Sequence, residues 1–369
     1  MLAQGTTALL QRTVIPGVMM WSRWQPDRSM NFNSFYVMTK DGSENVLVDP
    51  LALDDEDAQK IESLGGVKWI VLTTRDHERE AAALAQRFNA KIAAPELDVP
   101  EIKANVDRLL HEGDRIGRLG VVQLDGMKSP GEFALWLEDS ATVIVGDALW
   151  GDPPGSLRTV PDAKLGDPQK AILSLRRLWG LEPKNILVGD GYCIFGGANA
   201  AIETFLKSRN DVLIYKINLD ELAHWKTRKG PGRHERQQAE VGLLLGARKL
   251  GYQMFEIPPG NFATAMHAHT EEEELYIVFE GEGTIRFPFG EYPIRKGDMI
   301  AMPIGEHGAH RIENTGKEKM IVLALANNAD DDCVYYPDSD KLLYSRHVIR
   351  RMVSGNGGAN LDAWAGEPG

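Results

Sequence analysis

The stretch His267-Ala-His269-Thr-Glu-Glu-Glu-Glu274 constrains the fold of this chain more than any other. Residues i and i+2 of an extended strand share a face, so His267 and His269 look to one side while Ala268 looks to the other. Glu274 follows a polar run that can turn the chain, and it opens the apolar segment 275–279, which reads as a buried strand. Gly281 and Gly283 close that strand, residues 284–287 begin another, and Gly297-Asp298 marks a tight turn before residues 299–302. Pro303 and Gly305 then punctuate a loop that delivers His307 and His310. Strands and turns at this spacing can bring three imidazoles and a carboxylate together inside a small β-barrel. A nitrogen and oxygen donor set without sulfur suits one divalent ion of Fe, Mn, Ni, Co or Zn. Glu271 to Glu273 read as a solvated loop, since four ionised carboxylates crowded around one ion would repel more than they gain.

At 369 residues the chain is too long for one ordinary core and predicts two domains. A net charge of -12 and the lack of a basic cluster argue against a nucleic-acid partner. No apolar run reaches 18 residues and no leader-like segment opens the chain, so a soluble cytoplasmic protein without membrane contact is expected. Cys193 and Cys333 are too few for a disulfide framework and lack metal-site spacing.

The first two hundred residues read as an α/β unit. Short apolar strands at 46–48, 69–72, 143–145 and 186–188 end in Asp49, Thr73, Asp147 and Asp190, with helices expected at 54–64 and 79–88. Asp147, Asp190 and the run 73–80 then gather at one sheet edge, where α/β proteins place their sites. Polar residues 213–235, with Lys229-Gly-Pro-Gly232, predict a linker, and the Gly- and Asn-rich residues 351–369 a flexible tail.

From 259 to 314 the chain resembles a cupin. His267, His269, Glu274 and Gly281 match that family's first motif, and Gly297, Pro303-Ile-Gly305, His310 and Asn314 match its second. Gly260 stands one residue farther upstream than usual. The second loop is two residues longer, which leaves a choice between His307 and His310; Asn314, four residues on, favours His310. The resemblance implies a jelly-roll barrel at 236–350 with His267, His269, Glu274 and His310 as metal ligands, and a homodimer. Tyr335-Tyr336 and the residues after them are similar to a segment that follows the barrel in some cupin proteins; they form either an ordinary turn around Pro337 or part of a partner surface.

Residues 15 to 205 resemble the metallo-β-lactamase fold, which implies an α/β sandwich over a domain spanning 1–212. Where that family carries its His-x-His-x-Asp-His run, this chain has Thr74, Asp76, Glu78 and Arg79, with His77 out of phase. Lys128 falls at or near the next histidine, just before Ser129-Pro130-Gly131, Asp147 matches the bridging aspartate, and Asp190 replaces the last histidine. The resemblance thus implies a degenerate active site. Arg79 and Lys128 would supply the lost positive charge to unpaired carboxylates. Two alternatives are a hard-metal site on Asp76, Asp147 and Asp190, and an anion pocket on Arg75, Arg79 or Lys128.

The expectation is therefore a two-domain protein whose cupin acts on a small organic molecule as an oxygenase, isomerase or lyase. Glu273 and Tyr276 are candidate proton-moving groups by proximity. Non-catalytic small-molecule binding or sensing, and a structural assembly role, are the alternatives.

Overall fold

The structure is a computed structural model that describes residues 10–222, 225–329, 331–346 and 349–354. The chain divides into two compact units, Met1–Lys216 and Ile217–Gly369.

In the first unit a seven-stranded sheet runs in sequence order from Gln11–Arg12 to Arg108–Leu110, and a six-stranded sheet contains Phe133–Leu137, Thr142–Val145 and Asn185–Val188. Alternation along the strands explains the layering. Val46 and Val48 enter a core shared with Leu135, Ile144 and Leu187 of the other sheet, while Leu47 faces the opposite way, toward helices Asp55–Ser63 and Ala81–Phe88. On the second sheet Ile144 and Leu187 face that shared core. Val143, Val145, Ile186 and Val188 pack instead with residues of helices Pro168–Gly180 and Ala198–Ser208. Strands buried on both faces must be apolar at every position, as these are.

Local signals set the helix starts. Asp54 accepts from Asp57 N at 2.9 Å and Asp167 from Lys170 N at 3.0 Å, with Pro168 at the first helical position. The helix expected from residue 79 begins only at Ala81, because Arg79 has φ +44° and cannot lie in a right-handed turn.

The second unit is β-rich. Its six-stranded sheet includes Glu235–Ala239, Leu250–Ile257, Met320–Asn327 and Glu274–Glu280, and three- and four-stranded sheets accompany it. Residues 213–235, expected to be a linker, carry structure: a turn Leu219–Glu221 capped by Asn218, and a strand Lys226–Lys229 paired with Glu235–Ala239. The polarity that suggested a linker belongs to a charged edge strand, in which Lys226 pairs with Glu240 and Lys229 with Glu235 at 3.0 Å each. Of the expected tail, residues up to Ser354 belong to the strand Ile349–Ser354, paired with Lys341–Arg346; residues 355–369 lie outside the described residues.

Candidate functional site

In the β-rich unit, backbone pairing brings the imidazoles together. His267 and His310 face each other across an antiparallel bridge, exchanging N–H to O bonds of 3.1 and 2.8 Å, and their rings lie 4.5 Å apart. His269 is two residues on, in a short strand paired with Cys333–Tyr336. The loop that delivers His310 closes tightly: a Cβ at Gly308 would stand 1.7 Å from Pro303 O. That loop leaves His307 exposed and His310 1% exposed.

Three imidazoles surround one carboxylate oxygen. Glu274 Oε2 lies 3.8 Å from His267 Nε2, 3.5 Å from His269 Nε2 and 3.2 Å from His310 Nε2. Each ring's Nδ1 faces an acceptor instead: Ala265 O at 2.9 Å, Asp332 Oδ2 at 2.7 Å and Gly308 O at 3.0 Å. The Nδ1 atoms therefore carry the protons, and the Nε2 lone pairs point inward. Glu274 Oε2 is buried without a hydrogen-bond donor. Lone pairs converging on an orphaned carboxylate oxygen are the chemistry of a cation site, so these residues fit a metal ion. His267, His269 and Glu274 offer ligand atoms within 4.8 Å of one another.

Burial pushes Glu274 up to about 7, only partly opposed by His269. Burial also lowers His267 well below its ordinary value and His310 to about 4. Burial would lower His269 too, but Asp332 and Glu274 outweigh it and raise the ring. Asp332 is the group that sequence reasoning missed. Its Oδ1 accepts from the backbone N–H groups of Thr270 and Glu271 at 3.0 Å each. Burial opposes its charge, but His269 and the backbone N–H groups of Glu271 and Glu272 hold it at about 2. Its sequence signal, the acidic run 330–332 before a strand, does not tell which aspartate turns inward.

The two proton-moving candidates separate. Glu274, Tyr276 and Val278 alternate onto one face of their strand, whereas Glu273 is exposed and holds Asn327 through its backbone N–H at 2.7 Å. Tyr276 is fully buried with its hydroxyl 3.2 Å from His310 Nε2, and burial first, then Glu274, raise it well above 10. Its hydroxyl thus stays protonated and can donate a hydrogen bond. Tyr336, expected either in a turn or toward a partner, has its ring 6.2 Å from His267 and nearly parallel to it.

The α/β unit gathers a second cluster at the ends of its central strands. Lys128 Nζ sits 3.0 Å from Asp76 and 2.9 Å from Asp147, and Arg79 Nη2 3.2 Å from Asp190. Arg79 Nη1 also donates to Asn33 O and Asp49 O at 2.7 and 3.0 Å. His77, out of phase for the expected motif, is nevertheless at the centre: Nδ1 is 2.8 Å from Asp49 and Nε2 3.7 Å from Asp147. The 3-10 turn Arg75–His77 swings it inward, and two glycines make room, since a Cβ at Gly189 would come 2.6 Å from its ring and one at Gly146 2.2 Å from Thr73 Oγ1. Burial and Arg79 push the His77 imidazole down, but Asp49 and Asp147 lift it to about 10.

His77, Asp147 and Asp190 also present atoms close enough for a metal ion. They do not fit one as they stand. Asp147 already receives Lys128 and, at 3.2 Å, Trp150 Nε1, and three cationic groups would repel an added ion. The hard-metal reading of Asp76, Asp147 and Asp190 meets the same obstacle, because Lys128 stands between the first two. Arg75 pairs with Glu101, and Glu78 caps the backbone of Lys103 and Ala104 at 3.0 and 2.7 Å, so neither enters the cluster. Glu132, also missed, is buried beside it with no side-chain partner, and burial raises its carboxyl well above the usual range.

Comparison with known proteins agrees with both units. A family model described as the metallo-beta-lactamase superfamily matches residues 10–208, and one described as a cupin domain matches residues 253–326. An oxalate-binding protein of Thermotoga maritima is 34% identical over 74 residues, 20% of this chain and 59% of that protein. The chain spans 54% to 59% of the length of the curated relatives it matches. Among solved structures, a putative sugar phosphate isomerase from Acidithiobacillus ferrooxidans is 28% identical, covering 40% of this chain and 97% of its own with a TM-score of 0.37. A metallo-beta-lactamase from Pontibacter korlensis is 15% identical, covering 55% and 100%, with a TM-score of 0.45.

Proposed function

We propose, for a chain that belongs to the metallo-β-lactamase superfamily through residues 10–208 and carries a cupin domain at residues 253–326, that function resides in the cupin domain. His267, His269, Glu274 and His310 hold one divalent transition-metal ion there, inside a jelly-roll barrel, and the site acts on a small organic molecule. The observation that carries this reading is the donorless Glu274 Oε2 among three Nε2 atoms whose Nδ1 partners are already taken. When bound, the ion supplies Lewis-acid polarisation or a redox centre, the chemistry shared by isomerases, lyases and oxygenases. Asp332 orients His269, and Tyr276, kept protonated by burial, offers a hydrogen-bond donor beside the ligands.

A second reading is ligand binding without turnover. The exposure of Glu273 favours it, because that carboxylate stands away from the ligands and cannot serve as their base. The α/β unit, in this proposal, is a degenerate hydrolase domain in which Arg79 and Lys128 replace the metal charge, and it contributes stability and assembly.

Elemental analysis tests the main reading. Protein purified without chelator should carry close to one transition-metal ion per chain, and a His267→Ala/His269→Ala double variant should lose it. Equal metal content in the two proteins rules out this site. Added zinc should not stimulate ester, lactam or thioester hydrolysis by the full chain, and such stimulation would overturn the degenerate reading of the first domain.

A further inference from the structure

A segment beyond the cupin match, which ends at residue 326, touches the surroundings of all three histidines. At the near end of segment 332–338, Asp332 holds His269 Nδ1 at 2.7 Å, and the N–H of Thr270 donates to Cys333 O at 3.1 Å. The strand Cys333–Tyr336 then pairs with Ala268–His269, setting Val334 opposite His269 and Tyr335 opposite Ala268. Tyr336 lays its ring nearly parallel to that of His267, 6.2 Å away, and the buried Lys341 brings Nζ to 5.3 Å from the centroid of the tyrosine ring. At the far end Asp338 receives both Nη atoms of Arg286, at 2.8 and 3.1 Å. Arg311, the residue after His310, stands 3.7 Å from the same carboxylate.

The far end has the form of a latch. A two-pronged arginine–carboxylate pair fixes the orientation of both partners, and water screens this one little, since Asp338 and Arg311 are only 15% and 13% exposed. Arg286 and Arg311 lie opposite each other on paired strands, where their charges repel, and Asp338 is the carboxylate placed to offset them. The near end is linked to the ligands. A ring that gives its Nε2 lone pair to a cation is a stronger Nδ1–H donor, so loading the site strengthens the bond from His269 to Asp332. Reciprocity then requires that whatever keeps Asp332 in place also favours the cation.

We propose that Asp338 and Arg286 are positioning residues of the metal site, a latch that holds segment 332–338 against the histidines, so that closing the latch and loading the metal stabilise each other. This rests on the metal reading above and adds a control on it that lies outside the ligand set. The pair acts through Tyr336 on His267, through Asp332 on His269 and through Arg311 on the strand that follows His310.

Full-length wild type, Asp338→Asn and Asp338→Glu make the test, each stripped of metal and titrated with Mn2+ against a competing chelator. Asp338→Asn keeps the size of the side chain and drops its charge; it should bind Mn2+ about five- to twentyfold more weakly. Asp338→Glu should recover most of that loss. Hydrogen exchange gives the reciprocal reading: Mn2+ should slow exchange in residues 333–344 of the wild type, less so in Asp338→Asn, and leave the first unit unchanged. Equal Mn2+ affinity in wild type and Asp338→Asn would overturn the latch and leave the metal reading standing, even if urea unfolding showed the variant less stable. So would Mn2+ that protects 267–274 in the wild type without protecting 333–344, a measurement that decides alone if Asp338→Asn does not fold. Equal losses in Asp338→Asn and Asp338→Glu would assign the effect to shape and sink the ion-pair latch. A wild type that takes up no Mn2+ overturns the metal reading and the latch with it.

Discussion

Replacing Arg79 with alanine leaves Asp190 without its 3.2 Å ion pair in a place water scarcely reaches, the two side chains being 9% and 6% exposed. One-sided removal of a buried pair costs about 3–5 kcal/mol. Two features bear on where this case falls. The carbonyl of Asp49 keeps a second donor, Ser34 Oγ at 2.6 Å, so its loss of Arg79 is partly covered. Burial already holds the Asp190 carboxyl above its ordinary value, and without Arg79 it can take up a proton, which limits the penalty. A net loss of about 3 kcal/mol at neutral pH, smaller in acid, is expected. The φ of +44° at this position costs a non-glycine residue about 1–2 kcal/mol, so Arg79→Gly should be less destabilised than Arg79→Ala, and Arg79→Lys least of all. Urea unfolding of the full chain, followed by tryptophan fluorescence, reads the right unit because Trp21, Trp24, Trp69, Trp136, Trp150 and Trp179 all belong to it. With m of about 1–3 kcal/mol per molar urea, the midpoint should fall by about 1–3 M. A loss below about 1 kcal/mol would refute the claim that the guanidinium carries the charge of this cluster.

Asp332→Asn should weaken metal affinity about 10- to 100-fold without removing a ligand, measured by chelator competition, and an unchanged affinity would deny it the orienting role. His77 has its folded value raised from 6.5 to about 10, so the stability it contributes is complete below about 6.5 and is lost as pH rises through 10. Stability of the first unit should therefore fall from pH 7 to 10 by a few kcal/mol, on the order implied by that shift, and His77→Gln should flatten the profile; parallel profiles would contradict this. Light scattering of the full chain at micromolar concentration should give a homodimer, and a monomer there would defeat that expectation.

The chain's sequence by itself determined much of this protein, because the determining signals were local. Apolar triplets ending in aspartate specified double-faced strands, and the His-x-His spacing with Glu274 and His310 specified which ligands can meet, since period-2 alternation and turn residues act over a few positions. Charged edge strands were less legible: Lys226–Lys229 has no apolar face, so it reads as linker until its partner strand supplies the hydrogen bonds. Only tertiary structure decided which unmatched groups join the sites. His77 enters its cluster because Gly146 and Gly189, remote in sequence, leave space for its ring. Asp332 reaches His269 across 63 positions. A side chain's direction in a turn, and the partner it lacks, depend on packing between segments that no local pattern encodes, and that is why the tertiary structure alone separated Tyr276 from Glu273, whereas Asn314 had already favoured His310 over His307 in the sequence.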